Sequence, residues 1–424
     1  MKLVSINKHC LLFFLLMIFG CAAIASAANP STEISKSKQK KADTYFMQGN
    51  NSLQQGLKDD AILNYTKAIE INPAHQDAYF NRGVVYNSMG KNDEAIADFS
   101  KIIEINPDAS DAYINRASIY EQKGMIDEAV SDFSRIIELK PDYAEIYYKR
   151  GIIYYSKNKY DLAIPDFSKT IELKPGFADA YNSRGYAYFA KGQFDLSIAD
   201  FNKALELDPI YNKVYYGRGI AYFGKQNYEA AIPDLTKAIE QDPRSANAYL
   251  IRGQAYMGKS DFDSAISDFT KVLEINPKSG GAYYGRGTAY SNKQDVESAI
   301  ADFTKALAIN PVYPKAYVYL GDYYNQLNQL ESAIAAYTKA IELDSKNGKT
   351  YVFRSVVYWK SKEYQKALDD VEKAKGLGET IDSSFLDILV RDSQKKEEVS
   401  PPPKKEEKGP PSPKKEEKGP PPKK

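Results

Sequence analysis

Residues 178–211 read ADAYNSRGYAYFAKGQFDLSIADFNKALELDPIY, and the same arrangement returns every 34 residues along most of the chain. Its proline, Pro209, belongs to a ladder at constant interval: Pro73, Pro107, Pro141, Pro175, Pro209, Pro243, Pro277 and Pro311, with Ser345 where the next would stand. A period between about 20 and 50 residues marks stacked repeats rather than one globular core. Counted from Ala42, ten repeats fill residues 42–381. In the quoted stretch Tyr181, Gly185 and Tyr188 stand at i, i+4 and i+7, one face of a helix. Lys191-Gly192, like Lys123-Gly124, supplies a turn. A second helix follows with small and apolar residues, as Ala265, Ile266, Phe269 and Val272 do in the seventh repeat. Asn-Pro, Asp-Pro or Lys-Pro closes most repeats, because proline lacks an N–H and disfavours helix just before itself. Pro165 and Pro233 fall inside second helices and are expected to loosen their first turns.

This grammar resembles the tetratricopeptide repeat family. There a large residue precedes a small one by four and an aromatic follows three later, as in Tyr79, Gly83, Tyr86 and in Tyr249, Gly253, Tyr256. The family's second helix sets small, aromatic and small residues where this chain has Ala299, Phe303 and Ala306, and Pro311 takes the place of its turn proline. Departures gather at the ends: Ser52 replaces an aromatic in the first repeat, Ser345 the proline of the ninth, and Ser355 and Val371 the glycine and aromatic of the tenth. The resemblance implies an all-α fold, a right-handed superhelical solenoid of antiparallel helix pairs. Residues 382–391 read as the rest of a capping helix. Most of the 34 tyrosines are then expected to pack between helices.

A second regularity lies inside the first. Arginine and aspartate recur sixteen residues apart in eight repeats: Arg82/Asp98, Arg116/Asp132, Arg150/Asp166, Arg184/Asp200, Arg218/Asp234, Arg252/Asp268, Arg286/Asp302 and Arg354/Asp370. Where one charge goes, the other goes too, leaving Leu320 and Ala336 in the ninth repeat and Gln48 and Asn64 in the first. Joint loss predicts contact across each helix hairpin, against the alternative of independent surface charges copied by duplication.

A stacked array presents an extended concave surface. The resemblance implies that inward first-helix positions hold a protein or peptide client there. In that register the second and third repeats offer Asn87, Ser88, Ser118, Glu121 and Gln122, and the later repeats add Met257, Tyr284 and Trp359. The aromatic set Tyr148, Tyr155, Tyr186, Phe189, Tyr216 and Phe223 is the expected partner-binding centre, since aromatics dominate such centres. The competing reading makes the same rings fillers of the seams. A carboxylate clamp is disfavoured, because Asn87 and Asn182 lack a basic set beside them. Self-association and recognition of a cell-wall glycan stay open as alternatives.

Charge narrows the partners. The chain has 57 basic and 56 acidic residues, but residues 42–391 carry about seven net negative charges while residues 29–41 and 392–424 are each about +3. The folded body thus has no basic stripe for nucleic acid, and its acidic balance favours basic or neutral partners. Catalysis is not expected. His9 and His75 are the two histidines, both cysteines (Cys10 and Cys21) precede the array, and no glycine-rich phosphate cradle stands apart from the repeat grammar. No cofactor or metal is expected either.

The amino terminus carries export signals. Lys2 and Lys8 precede an apolar run at residues 11–19, and Ala25-Ser26-Ala27 forms a cleavage site, which makes residues 1–27 a signal peptide. Ile18-Phe19-Gly20-Cys21 resembles the lipobox of bacterial lipoproteins, which would end the signal at residue 20 and attach the chain to a membrane by a lipid on Cys21. Either route implies a bacterial envelope location, periplasmic or outer-membrane associated, with secretion as the alternative. Residues 28–41 read as a flexible basic linker, and residues 392–424, with PPPKKEEKGP and PSPKKEEKGP, as a disordered spacer.

Overall fold

The computed structural model describes residues 34–210 and 213–399. The expected signal peptide, Cys21, the start of the linker and the tail from residue 400 lie outside the described residues. Among the described residues there are twenty-one helices and no strand. The described residues fall into two compact units that divide between Lys157 and Asn158, where the repeat pattern suggested one continuous body. The first unit contains α1 (Lys36–Gln54), α2 (Lys58–Ile71), α3 (Gln76–Ser88), α4 (Asn92–Ile105), α5 (Ser110–Lys123), α6 (Ile126–Leu139) and α7 (Ala144–Ser156). The second begins with α8 (Tyr160–Leu173), α9 (Ala178–Ala190), α10 (Phe194–Leu207), α11 (Lys213–Gly224), α12 (Tyr228–Gln241), α13 (Ala246–Gly258) and α14 (Phe262–Ile275). It continues with α15 (Gly280–Asn292), α16 (Val296–Ile309), α17 (Pro314–Gln326), α18 (Leu330–Leu343), α19 (Gly348–Lys360), α20 (Tyr364–Gly376) and α21 (Ser383–Val399). Within each unit every helix packs on the next in sequence.

The repeat grammar has a direct packing cause. Second helices bury an alanine and an aromatic four residues on, as Ala95 with Phe99 and Ala299 with Phe303. The first helix comes close because it offers glycine: a Cβ on Gly83 would stand 3.1 Å from the Phe99 ring, tighter than ordinary contact. Between the helices one residue takes the left-handed conformation, glycine at Gly56, Gly90, Gly124 and Gly192 but Asn158, Gln226, Ser260, Gln294, Asn328 and Lys362 elsewhere. Those side chains hold a backbone region that L-residues visit at a cost. The Asn/Asp-Pro corner is an Asx turn: the side-chain oxygens of Asn72, Asn106, Asp208, Asp242, Asn276 and Asn310 accept from the N–H two residues on. Asp344 makes the same bond to Lys346, so the corner survives where Ser345 replaces proline.

Several expectations need correction. Helix α1 starts at Lys36, inside the segment read as linker, with Ser35 accepting from the Lys38 N–H as its cap. The final helix runs to Val399 rather than 391. Pro165 and Pro233 are exposed and α8 and α12 continue unbroken through them. His75, expected at the surface, is buried: its Nδ1 accepts the Ala78 N–H and caps α3, the Phe46 ring lies 5.0 Å away, and Nε2 faces the Asp43 carboxylate at 3.5 Å.

One local fault is visible in the second unit. Ser197 stands where other repeats place alanine, and its hydroxyl is fully buried without a hydrogen-bond partner. Ser197→Ala is expected to stabilise the protein by about 1 kcal/mol, because it removes an unpaired polar group and leaves the packing intact. Urea unfolding followed by far-ultraviolet circular dichroism measures this, and a lower midpoint would show that the hydroxyl has a partner.

Candidate interaction surface

Eight of the ten repeats are organised by an arginine. In seven of the eight spaced pairs both partners lie in the same unit, and the guanidinium forks onto the carboxylate: Nε and Nη2 donate to the two oxygens of Asp98, Asp132, Asp200, Asp234, Asp268, Asp302 or Asp370 at 2.7–2.9 Å. The eighth, Arg150 and Asp166, is divided between the two units. A third contact was not foreseen. Nη1 donates backwards by sixteen residues to the preceding second helix, from Arg82 to Thr66, Arg116 to Ser100, Arg150 to Ser134, Arg184 to Ser168 and Arg218 to Asn202. Arg252, Arg286 and Arg354 do the same to Thr236, Thr270 and Thr338. One side chain therefore ties three helices.

Two tyrosines complete the enclosure. The Arg184 guanidinium lies 5.8 Å from the rings of both Tyr181 and Tyr188, and Arg82, Arg116, Arg252, Arg286 and Arg354 are flanked in the same way. This gives the two repeated tyrosines a job beyond filling space. Burial pushes the Asp98 and Asp200 carboxyls up, with the arginine bonds pulling the other way. Burial likewise opposes charge on Arg82 and Arg184, but the aspartate bonds outweigh it and hold both guanidiniums above their usual range. Such planar, charge-assisted forks are within reach of arginine and not of lysine.

The first and ninth repeats lack the ion pair and close differently. Both carry tyrosine where most repeats bury phenylalanine. The Tyr65 hydroxyl donates to Asn50 Oδ1 at 2.8 Å, and the Tyr337 hydroxyl to Asp322 Oδ1 at 2.5 Å. Burial pushes the Tyr65 phenol up to about 12, and burial together with Asp322 raises that of Tyr337. A lysine staple joins successive repeats at the surface: Lys123 to Asp93 in the first unit, and Lys191, Lys225, Lys259 and Lys293 to Asp161, Asp195, Glu229 and Asp263 in the second. Exposed pairs of this kind contribute about 0–1 kcal/mol each.

First helices also touch one another, α3 with α5 in the first unit, and α9 with α11, α11 with α13, α13 with α15 and α17 with α19 in the second. They form the inner layer of each unit. In the first unit Tyr148 and Tyr155 are half-buried on α7. In the second, Tyr186 and Phe189 lie on α9, and Tyr216 and Phe223 on α11. Every one of these four rings is partly buried and does packing work. Tyr186 meets Phe201 edge-on at 5.1 Å and donates to the Lys213 carbonyl, Phe189 leans on Phe194, Phe223 leans on Tyr228, and Tyr216 packs near Ala238 and Ile239. Trp359 is covered by the final helix: its Nε1 donates to Asp392 at 3.1 Å and its ring meets Phe385 edge-on.

Family models described as tetratricopeptide repeat match residues 77–109 and 178–211, residues 216–280 and 284–348, and residues 99–131. One described as TPR repeat matches residues 49–90, 118–156 and 151–192. Together they take in more than half of the chain. No curated protein matches it. Among solved structures, YrrB, titled a TPR protein with an unusual peptide-binding site, is 27% identical over 43% of this chain and 95% of its own, with a TM-score of 0.40. MamA is 32% identical over 41% of this chain and 95% of its own, with a TM-score of 0.38. The C-terminal part of a repeat protein from Cytophaga hutchinsonii is 24% identical over 55% and 96%, with a TM-score of 0.47.

A double-mutant cycle on Arg184 and Asp200 tests the fork. Each single alanine is expected to cost about 3 kcal/mol, by leaving its partner buried and uncompensated. The coupling energy from urea unfolding should fall at about 1.5–3 kcal/mol. Arg184→Lys should recover little, since an ammonium cannot fork. Additive single effects would show that the two charges act independently.

Proposed function

The chain belongs to the tetratricopeptide repeat family, and from that premise we propose a non-catalytic scaffold that holds an extended segment of a client protein against the first-helix layer. The observation that carries this reading is the run of half-buried aromatic side chains along that layer, from Tyr186 and Phe189 to Tyr216 and Phe223 in the second unit. Each ring is anchored by one edge in a helix seam and keeps part of its surface accessible. A rigid ring loses little entropy on binding, and the arginine forks on the same helices fix the helices that carry it. The residue economy points the same way, because aspartates and tyrosines that could do chemistry are engaged in the repeat architecture.

The site of action is proposed from the sequence. Lys2, Lys8 and the apolar run at residues 11–19 support export, so the client would be a protein of the bacterial envelope, and assembly of an envelope complex would be the role served. A lipid on Cys21 would tether the scaffold to a membrane.

Replacing Phe189, Tyr216 and Phe223 with serine is expected to weaken client capture from native envelope extract by roughly 100-fold or more, taking at least about 1 kcal/mol per aromatic contact. Circular dichroism should show unchanged helicity. Capture that persists in a folded variant would overturn the reading. Global unfolding would assign the rings to packing alone.

A further inference from the structure

The second residue of each repeat changes character along the chain. In the first unit it is always acidic: Asp43, Asp77, Asp111 and Glu145. In the second unit Asp179 is followed by Lys213, Asn247, Gly281, Lys315 and Lys349. These three lysines sit in the first turns of α11, α17 and α19, which contain no acidic residue. A helix amino terminus carries partial positive charge, so a lysine there is opposed by about 0.3–1 kcal/mol, whereas the aspartates at the equivalent place in the first unit are favoured. Local stability therefore does not account for them. Nor does pairing: Lys213, Lys315 and Lys349 are exposed, and among the described residues their ammonium groups make no ion pair or hydrogen bond. Other lysines of the unit are neutralised by the inter-repeat staples or by an acid three residues on, as Lys271 is by Glu274, and Lys237 and Lys305 lie instead over the rings of Tyr215 and Tyr283.

The lysines share a surface with apolar rings. Tyr216 follows Lys213 by three residues, and Tyr319 and Phe353 follow Lys315 and Lys349 by four, on the same helix faces. Phe353 is 39% exposed. The Tyr186 hydroxyl reaches the Lys213 carbonyl, which places the start of α11 beside the aromatic pair of the neighbouring first helix. Carboxylates are scarce on this layer. The first helices of the unit carry two carboxylates, Asp179 and Asp322, and Asp322 is engaged by the Tyr337 hydroxyl of its own second helix. The array is acidic as a whole, yet the inner layer of its second unit is cationic and aromatic.

We infer that this layer selects a client segment in which carboxylates are interspersed with apolar side chains, an acidic extended peptide rather than the basic one suggested by whole-array charge. The inference rests on the scaffold reading above and gives it a substrate class. Complementary charge set against an apolar floor favours a peptide over nucleic acid, because neutral Asn247 and Gly281 interrupt the lysines and no continuous basic track follows a phosphate backbone.

The test uses the full chain and two labelled sixteen-residue peptides, one of four Glu-Pro-Leu-Tyr repeats and one with lysine for each glutamate, with binding read by fluorescence anisotropy. The glutamate peptide should bind at least tenfold more tightly, and added salt should narrow the gap. Lys213→Glu/Lys315→Glu/Lys349→Glu should cost the glutamate peptide about tenfold, the product of three exposed ion pairs worth roughly twofold each. Because glutamate is favoured in a first helical turn, this variant is expected to fold at least as well as the parent, so its loss of binding cannot come from unfolding. Equal binding of the two peptides, or an unchanged preference in the triple variant, would overturn the inference, as would tighter binding of a single-stranded dT20 oligonucleotide. Failure of both peptides while the aromatic-dependent envelope client is still captured refutes the charge preference and leaves the scaffold reading standing. Failure of both together removes both.

Discussion

An arginine that must satisfy three helices at once is the constraint from which this architecture follows. Its planar fork takes both oxygens of the aspartate sixteen residues ahead, while the remaining nitrogen reaches a hydroxyl or amide sixteen residues behind. That geometry fixes the angle within a hairpin and the step to the previous hairpin with one side chain. Hydrophobic burial of alanine and phenylalanine supplies most of the stability but is non-directional. The fork supplies direction, and its flanking tyrosines exclude water from a charge pair that would otherwise be weak.

The two repeats without the fork show what it replaces. At Tyr65 and Tyr337 a phenol hydroxyl crosses the same hairpin to Asn50 or Asp322, and the aromatic ring stays where phenylalanine would be. In the ninth repeat Leu320 and Ala336 fill the vacated space as buried apolar side chains. An ion pair and a packed apolar pair are thus interchangeable at this locus, as expected when desolvation nearly cancels Coulombic gain. What is retained in both solutions is one directional polar bond between the two helices.

Much of this was legible from spacing. The 34-residue period gave the helix pairs, and joint loss of Arg and Asp in the first and ninth repeats marked them as partners. The backward contact was equally periodic, but Thr66, Ser100, Ser168 and Asn202 differ in type and conceal a shared hydrogen-bonding role. His75 was misjudged for a different reason. A lone histidine after a turn proline reads as exposed, and its burial comes from the neighbouring first helix α1, which brings Phe46 and Asp43 against it. The fault at Ser197 was hidden because a small residue satisfies the pattern whether or not its hydroxyl finds a partner. The division into two compact units has no counterpart in the repeat grammar, which runs through residue 157 without a break.

The last helix has a practical consequence. Trp359 is the chain's one tryptophan among 34 tyrosines, and the bond to Asp392 and edge contact with Phe385 tie its indole to α21, over a cluster that Ala367 and Val371 of α20 share with Leu389. Excitation at the red edge, where tyrosine does not absorb, would therefore follow the docking and fraying of the carboxy-terminal cap without interference from the array. Nature has left this protein with a built-in optical gauge of its own end.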